Sequence, residues 1–227
     1  MRFQSFRDFQ DGEFLGALGF DIVIHRRFLS ELHLPTGQLV ACDPLFSLDT
    51  EPFSVSLPKG SHPTHLVIAE LRDELRVAYA VVDVGQEEAR RWEVAELPPI
   101  PGGDPLAPVD EVGYAVDSTL GAFLDAQTAS DLMDYQQIVL PEDDDYERHL
   151  WGQIRRRRRH GVGFASLELR KDLKIPVPDD RNLLAFDAGF GPGYYPTYLG
   201  YDEEGALTRV VTDFDVLDLR FPSFPLR

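Results

Sequence analysis

The chain has 227 residues, of which 43% are hydrophobic and 11% aromatic, so it can bury a core and is not intrinsically disordered throughout. Its formal net charge of −17 repels phosphate backbones, which argues against nucleic acid as a partner. The charge maintains solubility and also suits a protein partner with a basic surface. The single cysteine, Cys42, excludes an intramolecular disulfide and a cysteine-based zinc site.

The expected location is the cytoplasm, without membrane contact. The first residues carry acids and arginines, where a secretory signal would need an apolar run. We find no apolar stretch that approaches the length needed to span a bilayer.

Residues 1–36 are predicted to form an N-terminal arm with one strand-like run, and a β pattern takes over from Gly37. Apolar–polar alternation and β-branched residues predict the strands, and the polar break at residues 72–74 predicts a hairpin. The strands predicted in this half of the chain lie at residues 20–24, 38–42, 53–57, 64–71, 75–84 and 91–97.

The second half begins with a proline-rich loop at residues 97–108, a composition that no regular element survives. A capping-box-like start at Thr128 predicts a short helix. Residues 143–160 predict the best helix, because its acids come first and its arginines last. Short strands are predicted at residues 113–117, 121–125, 163–169, 183–187, 206–211 and 214–219. Residues 202–205 predict the tip of a second hairpin, which joins residues 198–201 to 206–211.

Many short strands and only one or two short helices predict a mainly β protein, an antiparallel β-sandwich or a curled barrel-like sheet. A β-rich α+β fold is the alternative. We expect one domain over residues 1–227, with a β-rich body at 37–219 and an extended tail at 220–227.

Several blocks resemble the bacterial DUF4241 family, whose function is unknown. They are LVACDPL (39–45), RVAYAVV (76–82), GYAVDSTLGAFLD (113–125) and GFGPGYYPTYLGYDEEGALTRVVTDF (189–214). The resemblance spans roughly residues 37–219 and implies a mostly cytoplasmic bacterial protein with no assigned activity or cofactor. The family block usually carries an aspartate where this chain has Pro192, so a ligand or base at that position would be absent here.

Four aspartates at predicted strand ends are the candidates for a divalent-cation site: Asp43, Asp117, Asp187 and Asp213. Calcium and magnesium need several oxygens that converge from different segments, and strand ends can meet at one edge of a sheet. The competing interpretation is that each aspartate caps its own turn. It is the favoured one for any single aspartate.

A tyrosine-rich loop is the candidate binding surface: Tyr194, Tyr195, Tyr198 and Tyr201. Tyrosine supplies rigid contact area with a polar tip. The alternative, equally weighted, is that some of these rings belong to the core and bond to nearby backbone. Residues 155–159, all arginine, are interpreted as a helix end with a solvated face rather than as an anion site.

Two functions follow as hypotheses. The first is a non-enzymatic cytosolic binding module without a cofactor, with an immunity-like role suggested by the acidity. The second is a hydrolase that uses the converging aspartates and a divalent cation. Cys42 lies within a strand and His62 and His65 flank a turn, so neither suggests a nucleophile or a metal ligand. The oligomeric state stays open.

Overall fold

The structure is a computed structural model that describes residues 9–17, 20–72, 74–98, 113–139, 145–157 and 162–217. Within these ranges it contains thirteen strands and three helices. In chain order they are β1 (Phe14–Ala17), β2 (Phe20–Leu34), β3 (Leu39–Cys42), β4 (Gly60–Leu71), β5 (Glu74–Asp83), β6 (Arg91–Val94), β7 (Tyr114–Val116), β8 (Leu120–Asp125), α1 (Ala126–Val139), α2 (Asp145–Arg157), β9 (Phe164–Glu168), α3 (Leu169–Asp172), β10 (Asn182–Asp187), β11 (Gly193–Tyr195), β12 (Thr197–Tyr201) and β13 (Leu207–Asp213).

The strands pair antiparallel in three sheets, which confirms the mainly β prediction. A seven-stranded sheet has the order β1-β2-β4-β5-β13-β12-β6. A four-stranded sheet has the order β3-β8-β10-β9, and β11 pairs with β7 in a two-stranded ribbon. The predicted hairpins are present as β4–β5 and β12–β13, so local turn chemistry identified both.

The main core lies between the seven-stranded and four-stranded sheets. Period-2 alternation and the strand register put six residues on one face of the large sheet, which we call the inner face. All six are 0% exposed: Thr64, Leu66, Ala80, Val82, Val210 and Thr212. The four apolar ones share a core with aromatic residues of the small sheet and of the turn after β13, where Phe186 packs edge-on against Phe123 and Phe214.

A second apolar cluster covers the other face of the four-stranded sheet. It joins residues of β8 and β10 to Leu132 of α1 and to Leu150 and Ile154 of α2. The molecule is therefore layered, with a large sheet, a small sheet and helices. None of the helices in the described residues is long and apolar enough to cross a membrane.

The N-terminal region differs from the predicted arm. Residues 20–34 form β2, a 15-residue strand that pairs with β4 along its length. The sequence predicts a strand only at residues 20–24, because the charged residues Arg26 and Arg27 interrupt the apolar pattern. A register irregularity between Phe28 and Ser30 also shifts the alternation of side chains between the two faces of the sheet. A single apolar–polar alternation therefore does not run through the whole strand.

Three further local predictions differ. Residues 214–217, the described part of the strand predicted at 214–219, contain no strand and follow β13 as a turn. Residues 53–57 alternate in burial as predicted, with Phe53 and Leu57 buried, but they form no strand. Their backbone N–H groups instead make isolated hydrogen bonds, such as Phe53 N to the Leu39 carbonyl at 3.0 Å. Helix α1 begins at Ala126 rather than near Thr128, because the Asp125 carboxylate accepts the N–H of Gln127 at 2.9 Å and caps it.

Helix α2 confirms the predicted helix over Asp145–Arg157, and the other residues of the predicted range 143–160 lie outside the described part of the chain. Its Arg155 and Arg156 are exposed, as expected for a solvated face. Arg158 and Arg159, most of the proline-rich loop (residues 99–108) and the tail (residues 220–227) lie outside the described residues.

Candidate functional site

Tyr195 lies in the core rather than on a surface. Its ring packs edge-on against Phe214, with 4.9 Å between centroids. Its hydroxyl donates a hydrogen bond to the Gly191 carbonyl at 2.6 Å. Burial, together with the nearby charge of Asp215, raises the pKa of Tyr195 to about 12. The residue therefore anchors the glycine-rich loop to the sheet.

The other three tyrosines do not share one surface. Tyr194 is half exposed on β11, in the two-stranded ribbon. Tyr198 and Tyr201 both lie on β12, but the regular pairing of β12 with β6 puts them on opposite faces of the large sheet. Tyr201 lies under the guanidinium of Arg91, 4.4 Å from its ring centroid. Of the four tyrosines, Tyr198 alone lies on the face opposite the inner face.

Asp43 joins β3 to the turn after β7. Its carboxylate accepts the backbone N–H groups of Asp117 and Ser118 at 2.8 and 2.6 Å, and the Ser118 hydroxyl at 2.7 Å. Asp43 and Asp117 are therefore neighbours, but through the backbone of Asp117 rather than through two carboxylates. Such a contact is typical of a carboxylate that stabilises a turn.

The two remaining aspartates bond in different ways, Asp187 to another segment and Asp213 within its own turn. Asp187 accepts the Gly163 N–H at 2.7 Å, and Asp213 accepts the Asp215 N–H at 2.9 Å. In the described part of the chain, no group of three or more His, Cys, Asp or Glu side chains is placed to hold a metal ion. Asp213 therefore caps its own turn, as Asp43 does at the Leu45 N–H at 2.9 Å, whereas the Asp187 carboxylate joins two segments that are distant in sequence.

The structure instead brings charged side chains together on the other face of the large sheet, which sequence reasoning missed. This outer face consists of His65, Val67, Tyr79, Val81, Asp83, Arg209 and Val211 on β4, β5 and β13, with Arg26 and Phe28 on β2 and Trp92, Val94 and Tyr198 at its edge. Three of its residues, Arg26, His65 and Arg209, come from distant parts of the sequence and meet at the carboxylate of a fourth, Asp83.

Asp83 is the centre of this cluster. His65 Nδ1 lies 3.0 Å from Asp83 Oδ2, and Arg209 Nε lies 2.9 Å from Asp83 Oδ1. Arg26 Nη2 is more distant, at 3.6 Å from Asp83 Oδ2. Burial raises the pKa of Asp83, but the contact with His65 and the charges of Arg209 and Arg26 outweigh it and leave that pKa below its ordinary value. The carboxylate is therefore ionised at neutral pH.

Beside the cluster lies a groove with aromatic walls. Arg26 and Arg209 line it together with Phe9, Tyr79 and Trp92. The rings of Phe9 and Tyr79 stack, with centroids 5.9 Å apart. Trp92 on β6 is paired with Gly200 on β12, where an added Cβ would come within 2.7 Å of the indole ring. Only glycine allows this close approach, so Gly200 fixes one wall of the groove.

Apolar side chains extend the outer face beyond the groove. Phe28 is 55% exposed and packs edge-on against His65, with 5.5 Å between centroids. Val94, at the far edge, is 42% exposed. A signal was present in the sequence, since His65, Asp83 and Arg209 are charged or polar residues inside strongly apolar strands. Their convergence depends on strand register, which the sequence does not reveal.

Comparison with known proteins identifies the family and nothing more specific. No curated protein and no solved structure matches the chain. The family model described as a protein of unknown function matches residues 32–212, from within β2 to within β13. This match includes His65, Asp83 and Arg209 but not Arg26 or Phe28. On this match, the chain belongs to the DUF4241 family.

Proposed function

We propose that the protein is a non-enzymatic binding module of the cytosol, and that it binds a protein partner through the outer face of the seven-stranded sheet. The observation that carries the proposal is the composition of that face. It combines exposed apolar groups, Phe28 and Val94, with the half-buried Trp92 and Tyr198 and the arginines of the Asp83 cluster. Aromatic residues and arginine are enriched at protein interfaces and dominate their hot spots.

The charge of the whole chain supports a class of partner. A net charge of −17 attracts a partner with a basic surface at long range and speeds association. An immunity-like role, in which the acidic chain neutralises a basic protein, is the form of the proposal that this charge favours. The aromatic and arginine side chains of the outer face would then determine which basic partner is bound.

The alternative, a hydrolase that uses converging aspartates, has less support. The carboxylates of Asp43, Asp187 and Asp213 each accept backbone N–H groups. Such bonds hold a carboxylate in one orientation and occupy oxygens that a cation would need. We therefore place the function on the outer face rather than at these strand ends.

Site-specific photocrosslinking in cells tests the proposal. We would place p-benzoylphenylalanine at position 198 on the outer face, and at position 194 as the matched control. Both positions carry a tyrosine with solvent access, but they lie on different sheets. The expected result is a discrete protein adduct from position 198 that disappears when Phe28→Ala is added.

Position 194 should give no such adduct. The proposal is wrong if position 198 gives none, or if both positions give the same adducts. A second reading comes from salt. Because long-range attraction is screened at high ionic strength, the yield from position 198 should fall as salt is added to a cell lysate before irradiation, if the partner is basic.

A further inference from the structure

The groove on the outer face carries a local excess of positive charge within an acidic chain. Arg26 and Arg209 contribute two positive charges, and the Asp83 carboxylate between them contributes one negative charge. Glu88 also lines the groove, but its carboxylate pairs with Arg90 at 2.9 Å. The cluster therefore has a net charge of about +1 while the chain as a whole is at −17.

Arg209 is sufficient to neutralise Asp83. Besides the 2.9 Å ion pair, its Nη1 donates to the carbonyl oxygens of Gly85 and Thr208 at 2.6 and 2.8 Å. These bonds orient its guanidinium and fix it against the β5–β13 pair. Its side chain is only 12% exposed. Arg209 therefore has a structural role, which is to balance the charge of Asp83 within the sheet.

Arg26 is held much more loosely. Its contact with Asp83, at 3.6 Å, is longer than a direct hydrogen bond. Its side chain is 31% exposed, and it lines the groove. A guanidinium has five N–H donors in a planar fork that matches a carboxylate. Arg26 is thus placed to bind an anion that enters the groove.

We propose that the groove binds a carboxylate next to an aromatic ring on the partner protein, with Arg26 as the contact for the carboxylate and Trp92 as the contact for the ring. The inference rests on the proposed function and specifies the chemistry of its anchor. A singly charged carboxylate fits better than a phosphate dianion, because repulsion by the acidic chain grows with the charge of the ligand. Tyr79 and Phe9 complete the apolar wall.

Tryptophan fluorescence gives a direct test. The chain has two tryptophans, so Trp151→Phe on α2 leaves Trp92 as the sole reporter in the groove. This protein would be titrated with N-acetylphenylalanine, with its neutral amide and with phenyl phosphate. We expect a saturable change in Trp92 emission and at least tenfold tighter binding of the acid than of the amide. Phenyl phosphate should bind more weakly than the acid.

Arginine variants identify the contact. Arg26→Gln should weaken binding of the acid about tenfold and leave the amide unchanged, whereas Arg26→Lys, which keeps the charge but loses the fork, should give an intermediate loss. Arg27→Gln is the matched control, because Arg27 is the next residue on β2, is half exposed and pairs with Asp11 at 3.2 Å. It should bind like the parent. Unchanged thermal unfolding would verify that each variant is folded.

Three results would overturn the inference: equal binding of acid and amide, equal effects of Arg26→Gln and Arg27→Gln, or tighter binding of phenyl phosphate than of the acid. Each of these leaves the photocrosslinking result at position 198 untouched. Failure of the anchor chemistry is therefore distinguishable from failure of the proposed interface.

Discussion

The two faces of the seven-stranded sheet are built by the same strands but satisfy different physical demands. On the inner face, residues such as Leu66, Val82 and Val210 are 0% exposed, because the small sheet packs against them. On the outer face, the neighbouring residues His65, Asp83 and Arg209 carry polar or charged groups. The comparison teaches that packing against the small sheet dictates the first set, whereas the second set balances its charges within the outer face itself.

The largest effect should come from truncating the inner core. Phe186→Ala removes a fully buried ring that contacts Phe123 and Phe214 at centroid distances of 5.2 and 5.9 Å. We expect the free energy of unfolding to fall by about 3–5 kcal/mol, measured by urea denaturation. Phe28→Ala on the outer face should change it by less than about 0.5 kcal/mol, as is usual for exposed sites. Equal losses in the free energy of unfolding would contradict the claim that the inner face contributes much more to stability than the outer face.

The next effect concerns the outer-face cluster. Asp83→Asn leaves Arg209 and Arg26 without their carboxylate, and we expect a loss of about 3 kcal/mol at pH 7. Because the folded-state pKa of Asp83 is lowered, its contribution is present above the unfolded value of about 3.9 and is lost as the pH falls through the folded value. The difference between wild type and Asp83→Asn should therefore vanish in acid, as measured by thermal unfolding between neutral and acidic pH.

A control separates this effect from general surface electrostatics. Asp11→Asn removes an exposed carboxylate that pairs with Arg27 at 3.2 Å. Exposed pairs of this kind contribute about 0–1 kcal/mol, so the variant should lose little stability. If the destabilisation of Asp83→Asn persisted unchanged in acid, the carboxylate charge would not be its cause.

The smallest effect tests the tyrosine that belongs to the core. Tyr195→Phe removes the hydroxyl that donates to Gly191 at 2.6 Å, and we expect a loss of about 1 kcal/mol. The raised pKa of Tyr195, about 12, means that its contribution is present below the unfolded value of about 10 and is lost as the pH rises through the folded value. The gap between wild type and Tyr195→Phe in urea denaturation should therefore narrow at strongly alkaline pH; a gap independent of pH would contradict this role.

Local signals predicted much of the fold. The β4–β5 and β12–β13 hairpins follow from apolar runs around short polar breaks, and α2 follows from its amphipathic stripe and its ordered charges. The length of β2 was missed because its register irregularity near Phe28 breaks the alternation. Residues 53–57 carry the right burial pattern, but they lack a neighbouring strand to complete a ladder.

The candidate site was not predictable in the same way. Its charged residues lie on β2, β4, β5 and β13, which are distant in sequence, so no local pattern links them. Conversely, the four tyrosines looked like one surface because they are adjacent in sequence. In the structure Tyr195 is buried in the core, and side-chain alternation along β12 places Tyr198 and Tyr201 on opposite faces of the large sheet.

The sequence by itself determined the antiparallel β character, the two hairpins, the main helix and the acidity, because these depend on interactions within a few residues or on composition. Only the tertiary structure decided which carboxylates cap turns, which tyrosine is buried and where Arg26, His65 and Arg209 meet at Asp83. The physical reason is register. A shift of one residue between paired strands moves every side chain to the opposite face, so the site exists only once the whole sheet is assembled.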